Sequence, residues 1–138
     1  MGETDGGTMH IGEVAARTEL SLRSLRHWDE VGLLRPSGRT DGGFRLYTEE
    51  DVEKILAIRR MKPLGFSLEQ MAEAMRDIEV LADEAAGAAA VGAASTRLRA
   101  TLADAAERRS RLETQLAMAD EFIAQLTGRL GSAPTDPS

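Results

Sequence analysis

Arg23, Arg26 and His27 fall within five residues of one another in the stretch SLRSLRHWDEVG, which begins at Ser21. Cationic and hydrogen-bond-donating side chains at that spacing suit phosphate oxygens and base edges. Arginine's planar fork can bind either guanine or phosphate through two parallel hydrogen bonds. At 100° per residue, Arg23, Arg26, His27 and Glu30 share one face of a helix over about Leu22 to Val31. Leu22, Leu25 and Trp28 share the opposite face, so the helix buries an aliphatic-aromatic strip and presents a cationic one. Ser21 supplies an N-cap oxygen, and Gly32 tolerates the left-handed backbone that ends a helix.

Such a cluster is unexpected in a chain of 138 residues with a formal net charge of −6. The charge is unevenly distributed. Residues 9–66 carry ten Lys and Arg against nine Asp and Glu, while residues 67–138 carry seven against twelve. Binding to a polyanion depends on local potential, and a few arginine contacts that release counterions suffice. The sequence contains no Cys, which excludes disulfides and thiolate metal sites, and the two histidines are too few and too far apart for a metal centre. No nucleophile-base grouping or phosphate loop points to an enzyme, and no cofactor is implied. No apolar run reaches the roughly 18 residues of a membrane span.

The elements that must carry the arginine helix are legible around it. Ile11, Val14, Ala15 and Thr18 have helical spacing, so a first helix precedes it across a short turn at residues 18–20. After it, Pro36, Gly38, Gly42 and Gly43 mark turns, and Phe44 to Tyr47 alternates with period two. This predicts a β-hairpin wing with Arg39 and Arg45 near its tip or outer face. Thr48 with Asp51, and Ser67 with Gln70, have capping-box spacing and predict two further helices. Met61, Met71 and Met75 are expected in the core. A second helix of a helix-turn-helix enters the DNA major groove, and a flanking hairpin reaches the neighbouring groove or backbone.

Residues 1–8 are polar and glycine-rich, expected as a disordered tail, as are residues 131–138. The stretch EAAGAAAVGAAS from Glu84 holds seven alanines and two glycines. It is expected to be a hinge or weakly helical connector over residues 81–96. Beyond it, Leu98, Leu102, Ala105, Arg109, Leu112, Leu116, Ala119, Ile123, Leu126 and Leu130 are spaced alternately by four and three. This is an unbroken heptad seam about 50 Å long, and it implies a partner. In a parallel homodimer Arg109 would face Arg109 and Ala105 would face Ala105. In an antiparallel pair centred near residue 114, Arg109 faces Ala119 and Ala105 faces Ile123, so small meets large and the arginines separate. Antiparallel pairing is expected.

Three blocks in order then resemble the DNA-binding domain of the MerR family of bacterial transcription regulators. They are IGEVAARTELSLRSLRHWDEVGLLRP from Ile11, RTDGGFRLYTEEDV from Arg39, and LGFSLEQM from Leu64. The resemblance covers about half of the chain, over residues 9–80. It implies a mainly α protein, in which a winged helix-turn-helix is followed by a dimerisation helix at residues 97–130 in an antiparallel coiled coil. It further implies a cytoplasmic homodimer on a near-palindromic operator in double-stranded DNA, with RNA polymerase a further partner at the promoter. In many members the activated regulator bends and untwists a promoter with an overlong spacer. Carried over by position, the DNA-binding residues are Arg17, Ser21, Arg23, Ser24, Arg26, His27, Arg39, Thr40, Gly43, Arg45 and Tyr47. Glu19 stands where the family usually has a turn glycine, and His27-Trp28 replaces a common Tyr-Tyr pair. The family's cysteine-based sensors have no counterpart here, and eight residues after Leu130 leave no room for an appended sensor domain. A ligand in a cavity beside the coil, a protein partner, or constitutive action remain open. A docking protein or an architectural accessory protein are the alternatives to a regulator.

Overall fold

The computed structural model describes residues 7–131, so residues 1–6 and 132–138, most of both expected tails, lie outside the described residues. Thr8 departs from the expected N-terminal tail, because it opens a strand. The element order is β1 (Thr8–His10), α1 (Ile11–Thr18), α2 (Leu22–Glu30), β2 (Gly38–Arg39), β3 (Arg45–Thr48), α3 (Glu49–Met61), a 3₁₀ turn (Lys62–Leu64), α4 (Leu68–Ala82) and α5 (Ala88–Leu130). The protein is mainly α, with one small antiparallel sheet of order β1-β3-β2. Two compact units divide the chain, one reaching Arg99 and one beginning at Ala100.

In the first unit the caps act as their residue types dictate. Ser21 Oγ accepts from the Ser24 backbone N–H at 3.0 Å, which starts α2. Thr48 with Asp51 and Ser67 with Gln70 form complete capping boxes at the starts of α3 and α4. Asp51 does more than cap, since its Oδ2 also accepts from the Ser37 N–H and hydroxyl at 3.2 and 2.6 Å. That contact ties the start of the wing to α3. The core gathers Val14, Leu25, Trp28, Tyr47, Ile55 and Ile58, all 3 % exposed or less. Met71 and Met75 join it from α4, whereas Met61 is only half-buried.

The α1–α2 turn contains the one non-glycine residue with positive φ among those described, Glu19 at φ 61° and ψ 31°. A left-handed conformation costs an L-residue roughly 1–2 kcal/mol. Glu19 gains an ion pair to Arg59 at 3.1 Å, but both side chains are largely solvated and that contribution is small. Glu19→Gly is therefore expected to stabilise the domain by about 1 kcal/mol. Urea denaturation of the two proteins reads this directly, and a variant no more stable than its parent would contradict it.

The expected connector is largely helix. Only residues 83–87 separate α4 from α5, and α5 begins at Ala88, running 43 residues to Leu130. Alanine is the strongest helix former, and the small side chains suit close packing. Ala94 is fully buried. Asp77 on α4 takes a two-armed contact from Arg97, with Nη2 to Oδ1 at 2.8 Å and Nε to Oδ2 at 3.1 Å. The first compact unit therefore extends past residue 80 into the first part of α5.

In the second unit α5 exposes its apolar side chains. Leu102, Leu116 and Ile123 are each more than 60 % exposed, and Leu112 is 41 % exposed. Met118 and Phe122, off the heptad seam, are exposed as well. Ion pairs Arg108–Asp104, Arg109–Glu113 and Arg111–Glu107, each one turn apart, support the helix locally. Among the described residues no helix is long and apolar enough to cross a membrane.

Candidate nucleic-acid interface

The expected face of α2 is exposed. Arg23, Arg26 and His27 project from a helix whose Leu25 and Trp28 are buried beneath them. Among the described residues neither Arg23 nor Arg26 enters an ion pair, although Glu30 stands one turn from Arg26. The two arginines with Ser24, His27, Trp28 and Glu30 line a concave surface of about 470 Å³. Lys62, at the start of the 3₁₀ turn, completes that surface and adds a cation that helix-by-helix reading of the sequence did not assign. Its signal was available: Pro63 and Gly65 end α3 abruptly and expose the residue before them. Ser21 and Ser24 hydrogen-bond one another at 3.0 Å while capping α2, so they begin the helix at the edge of this face.

The wing is built by β2 and β3, with Arg39 directly opposite Arg45. Thr40 and Gly43 shape its tip. The Gly43 N–H donates to the Thr40 carbonyl at 2.8 Å, the Phe44 N–H to Thr40 Oγ1 at 3.1 Å, and Gly43 adopts φ 88°. Phe44 stands 68 % exposed at that tip.

Four of the expected contact residues have partners or burial inside the protein. Arg17 donates to both carboxylate oxygens of Glu49, at 2.6 and 3.0 Å, and so joins α1 to the start of α3. A hydrogen bond and the adjacent charge raise the Arg17 pKa and lower that of Glu49. Arg39 and Arg45 both reach Asp29 Oδ2, at 2.8 and 2.7 Å. Tyr47 is a correction: at 1 % exposure it is a core residue and not a surface contact. It lies two residues from Arg45, on the strand face turned inward, and pairs with Met9 across β1. Its hydroxyl has no hydrogen-bond partner among the described residues, and burial pushes the phenol pKa up.

Asp29 is the residue that sequence reasoning missed. It falls on the same helical face as Leu22 and Leu25, and a carboxylate on an apolar stripe demands a cation. Its side chain is 7 % exposed. Burial is the largest single influence on it and raises its pKa. Hydrogen bonds from Arg45 and Arg39, with their charges, outweigh that and hold it below the usual carboxylate range. Because the folded value is depressed, the cluster's contribution is complete above the unfolded Asp range. It is lost as pH falls through the lower folded value.

These features, a helix-turn-helix with an exposed arginine face, a two-stranded wing and a long helix, define a winged helix-turn-helix protein. The family model described as "MerR HTH family regulatory protein" matches residues 9–78. The chain belongs to the MerR family. It is 44 % identical over 73 residues to the nodulation protein NolA of Bradyrhizobium elkanii, covering 53 % of this chain and 33 % of that one. It is 41 % identical over 63 residues to the HTH-type transcriptional regulator ZntR of Escherichia coli, covering 46 % and 45 %. The chain thus spans less than half the length of these curated relatives. Among solved structures, HiNmlR, a MerR family regulator lacking the sensor domain, bound to promoter DNA, superposes with a TM-score of 0.67. Its sequence is 21 % identical, over 91 % of this chain and 96 % of that one, and it establishes the shared fold.

Proposed function

We propose that this chain is a sequence-specific, DNA-binding transcription regulator that acts as a homodimer on a near-palindromic promoter operator. One observation carries the reading: the Arg23, Arg26 and His27 face stands open, without an ion pair among the described residues, on a helix anchored by Leu25 and Trp28, with Lys62 beside it. A helix seated this way enters the major groove with its outward side chains against base edges. Arg39, Thr40, Gly43 and Arg45 bring the wing to the flanking backbone. NolA, ZntR and HiNmlR lend this reading the support of family likeness. A duplex target puts the site of action in the cytoplasm, and a promoter target brings RNA polymerase into reach.

Dimerisation supports the same reading, because one recognition helix reads only one half-site. The exposed seam of α5 calls for a partner helix. Residues 97–111 hold five arginines against two carboxylates, and residues 112–130 hold three carboxylates against one arginine. Antiparallel pairing sets the basic half against the acidic half, whereas parallel pairing sets basic against basic. Bending and untwisting of an overlong promoter spacer would follow from two rigid units held at fixed separation.

Arg23→Ala is expected to weaken binding to a selected duplex by roughly 1–3 kcal/mol, with unchanged thermal stability. A mobility-shift titration against the protein's own upstream DNA checks it. Loss of no affinity would remove Arg23 from the interface. A salt-insensitive complex, or none on any fragment, would sink the regulatory reading and favour a docking role.

A further inference from the structure

Arg39 and Arg45 are directly opposed on neighbouring strands, an arrangement in which like charges repel. Both converge on one oxygen, Asp29 Oδ2, which belongs to the recognition helix rather than to the wing. Arg39 also donates from Nη1 to the Gly43 carbonyl at 3.3 Å, so its guanidinium is fixed at both ends. Asp29 itself is buried, and the Arg45 side chain is only 22 % exposed beside it. The carboxylate therefore occupies, inside the protein, the position that a backbone phosphate would take outside it.

We propose that Asp29 is a specificity-determining positioning residue. Its carboxylate locks the wing arginines at a set offset from α2 and withholds one unit of their charge from phosphates that are not presented at that offset. On a duplex in which α2 is seated in a matching groove, the wing meets the backbone in register and the arginines engage. On other DNA Asp29 keeps cancelling one of their two charges, so the pair adds less to non-specific binding. This rests on the DNA-binding reading above. It assigns to a buried acidic residue the task of separating right sequences from wrong ones, where an ordinary phosphate contact would strengthen both alike.

The test uses the full chain, a duplex recovered from a randomised pool by selection, and a scrambled duplex of equal length, each titrated over a range of potassium chloride. Asp29→Asn keeps the shape and removes the charge. It is expected to tighten binding to the scrambled duplex several-fold and to steepen its log K against log salt slope by about one. The selected-to-scrambled ratio should fall about tenfold. Arg39→Ala, which leaves Asp29 paired with Arg45, should weaken the selected complex and leave the scrambled one nearly unchanged. A merely structural Asp29 would lower both affinities together in Asp29→Asn, and that result overturns the proposal. So does an Arg39→Ala variant that loses equally on both duplexes, which holds even if Asp29→Asn folds poorly. A parent protein without any selectivity would sink the regulatory reading instead, and the steeper salt slope of Asp29→Asn would still read the released charge.

Discussion

Leu112→Glu is expected to turn the protein into a monomer and to lower its affinity for a duplex carrying both half-sites by about 10²–10⁴-fold. Leu112 sits near the middle of the heptad seam and is 41 % exposed in the single chain. In an antiparallel pair centred near residue 114 it faces Leu116 of the other copy, and the two-fold axis repeats the contact. One substitution therefore removes two buried leucines, each worth about 1.5–3 kcal/mol, and sets two carboxylates into the seam. The first unit has its own core and caps, so its circular dichroism and thermal transition should persist. Loss of affinity then comes from loss of coupling: two half-sites that were engaged together are engaged independently. Sedimentation velocity at micromolar concentration together with a shift assay reads both consequences. A variant that still sediments as a dimer would move the dimer interface away from this stripe.

The contrast between α2 and α5 explains what the sequence discloses and what it withholds. Local rules were legible wherever one residue type answers one backbone need. Ser21, Thr48 and Ser67 cap the helices they precede because their oxygens meet free N–H groups. The period separates Leu25 and Trp28, which are buried, from the exposed arginines on α2, but it also assigns Leu22 to the buried strip, and at the first turn of the helix Leu22 remains 38 % exposed. The Ala/Gly stretch is the opposite case, because few large side chains need not mean little structure: α5 begins at Ala88. Intrinsic helix propensity and the Asp77–Arg97 clamp prevail there, and Gly92 costs the helix only about 1 kcal/mol.

Long-range pairings were the harder part. The three-residue strand β1 has no periodicity to detect, and only its register against Tyr47 gives it meaning. Arg17, Arg39 and Arg45 looked alike in sequence, as cations near a DNA-reading helix. In the fold each answers a carboxylate far along the chain: Glu49 for Arg17, and Asp29 for the wing pair. What distinguishes Arg23 and Arg26 from them is that neither enters an ion pair among the described residues, even with Glu30 one turn from Arg26, which no spacing rule reports. The arginines of the candidate interface therefore divide into two that are unpaired on α2 among the described residues and two that are held by Asp29 on the wing, and Lys62 joins the first pair from a turn.

Trp28→Ala is expected to destabilise the first unit by about 3–5 kcal/mol, a large share of the roughly 5–15 kcal/mol that holds a small domain together. The ring is 3 % exposed and lies directly under the arginine face, where it also borders the concave surface with Arg23, Arg26 and Lys62. The carbonyl of the same residue accepts the backbone N–H groups of Leu33 and Leu34, at 2.9 and 3.2 Å, and so turns the chain from α2 toward the wing. Truncation leaves those backbone bonds in place but opens a cavity between α2 and the core. A melt followed by circular dichroism should shift down by on the order of 12 °C or more. Duplex binding should fail in step with folding, unlike Arg23→Ala, which should bind weakly while melting normally. Trp28→Phe fills most of the cavity and should recover much of both. Trp28 is the only tryptophan in the chain, so in the parent protein its fluorescence reports on the seating of this helix alone. Emission unchanged by denaturant, or a Trp28→Ala variant that melts like its parent, would mean that α2 is not anchored by this ring. The open arginine face would then lack the rigid support that reading a groove requires.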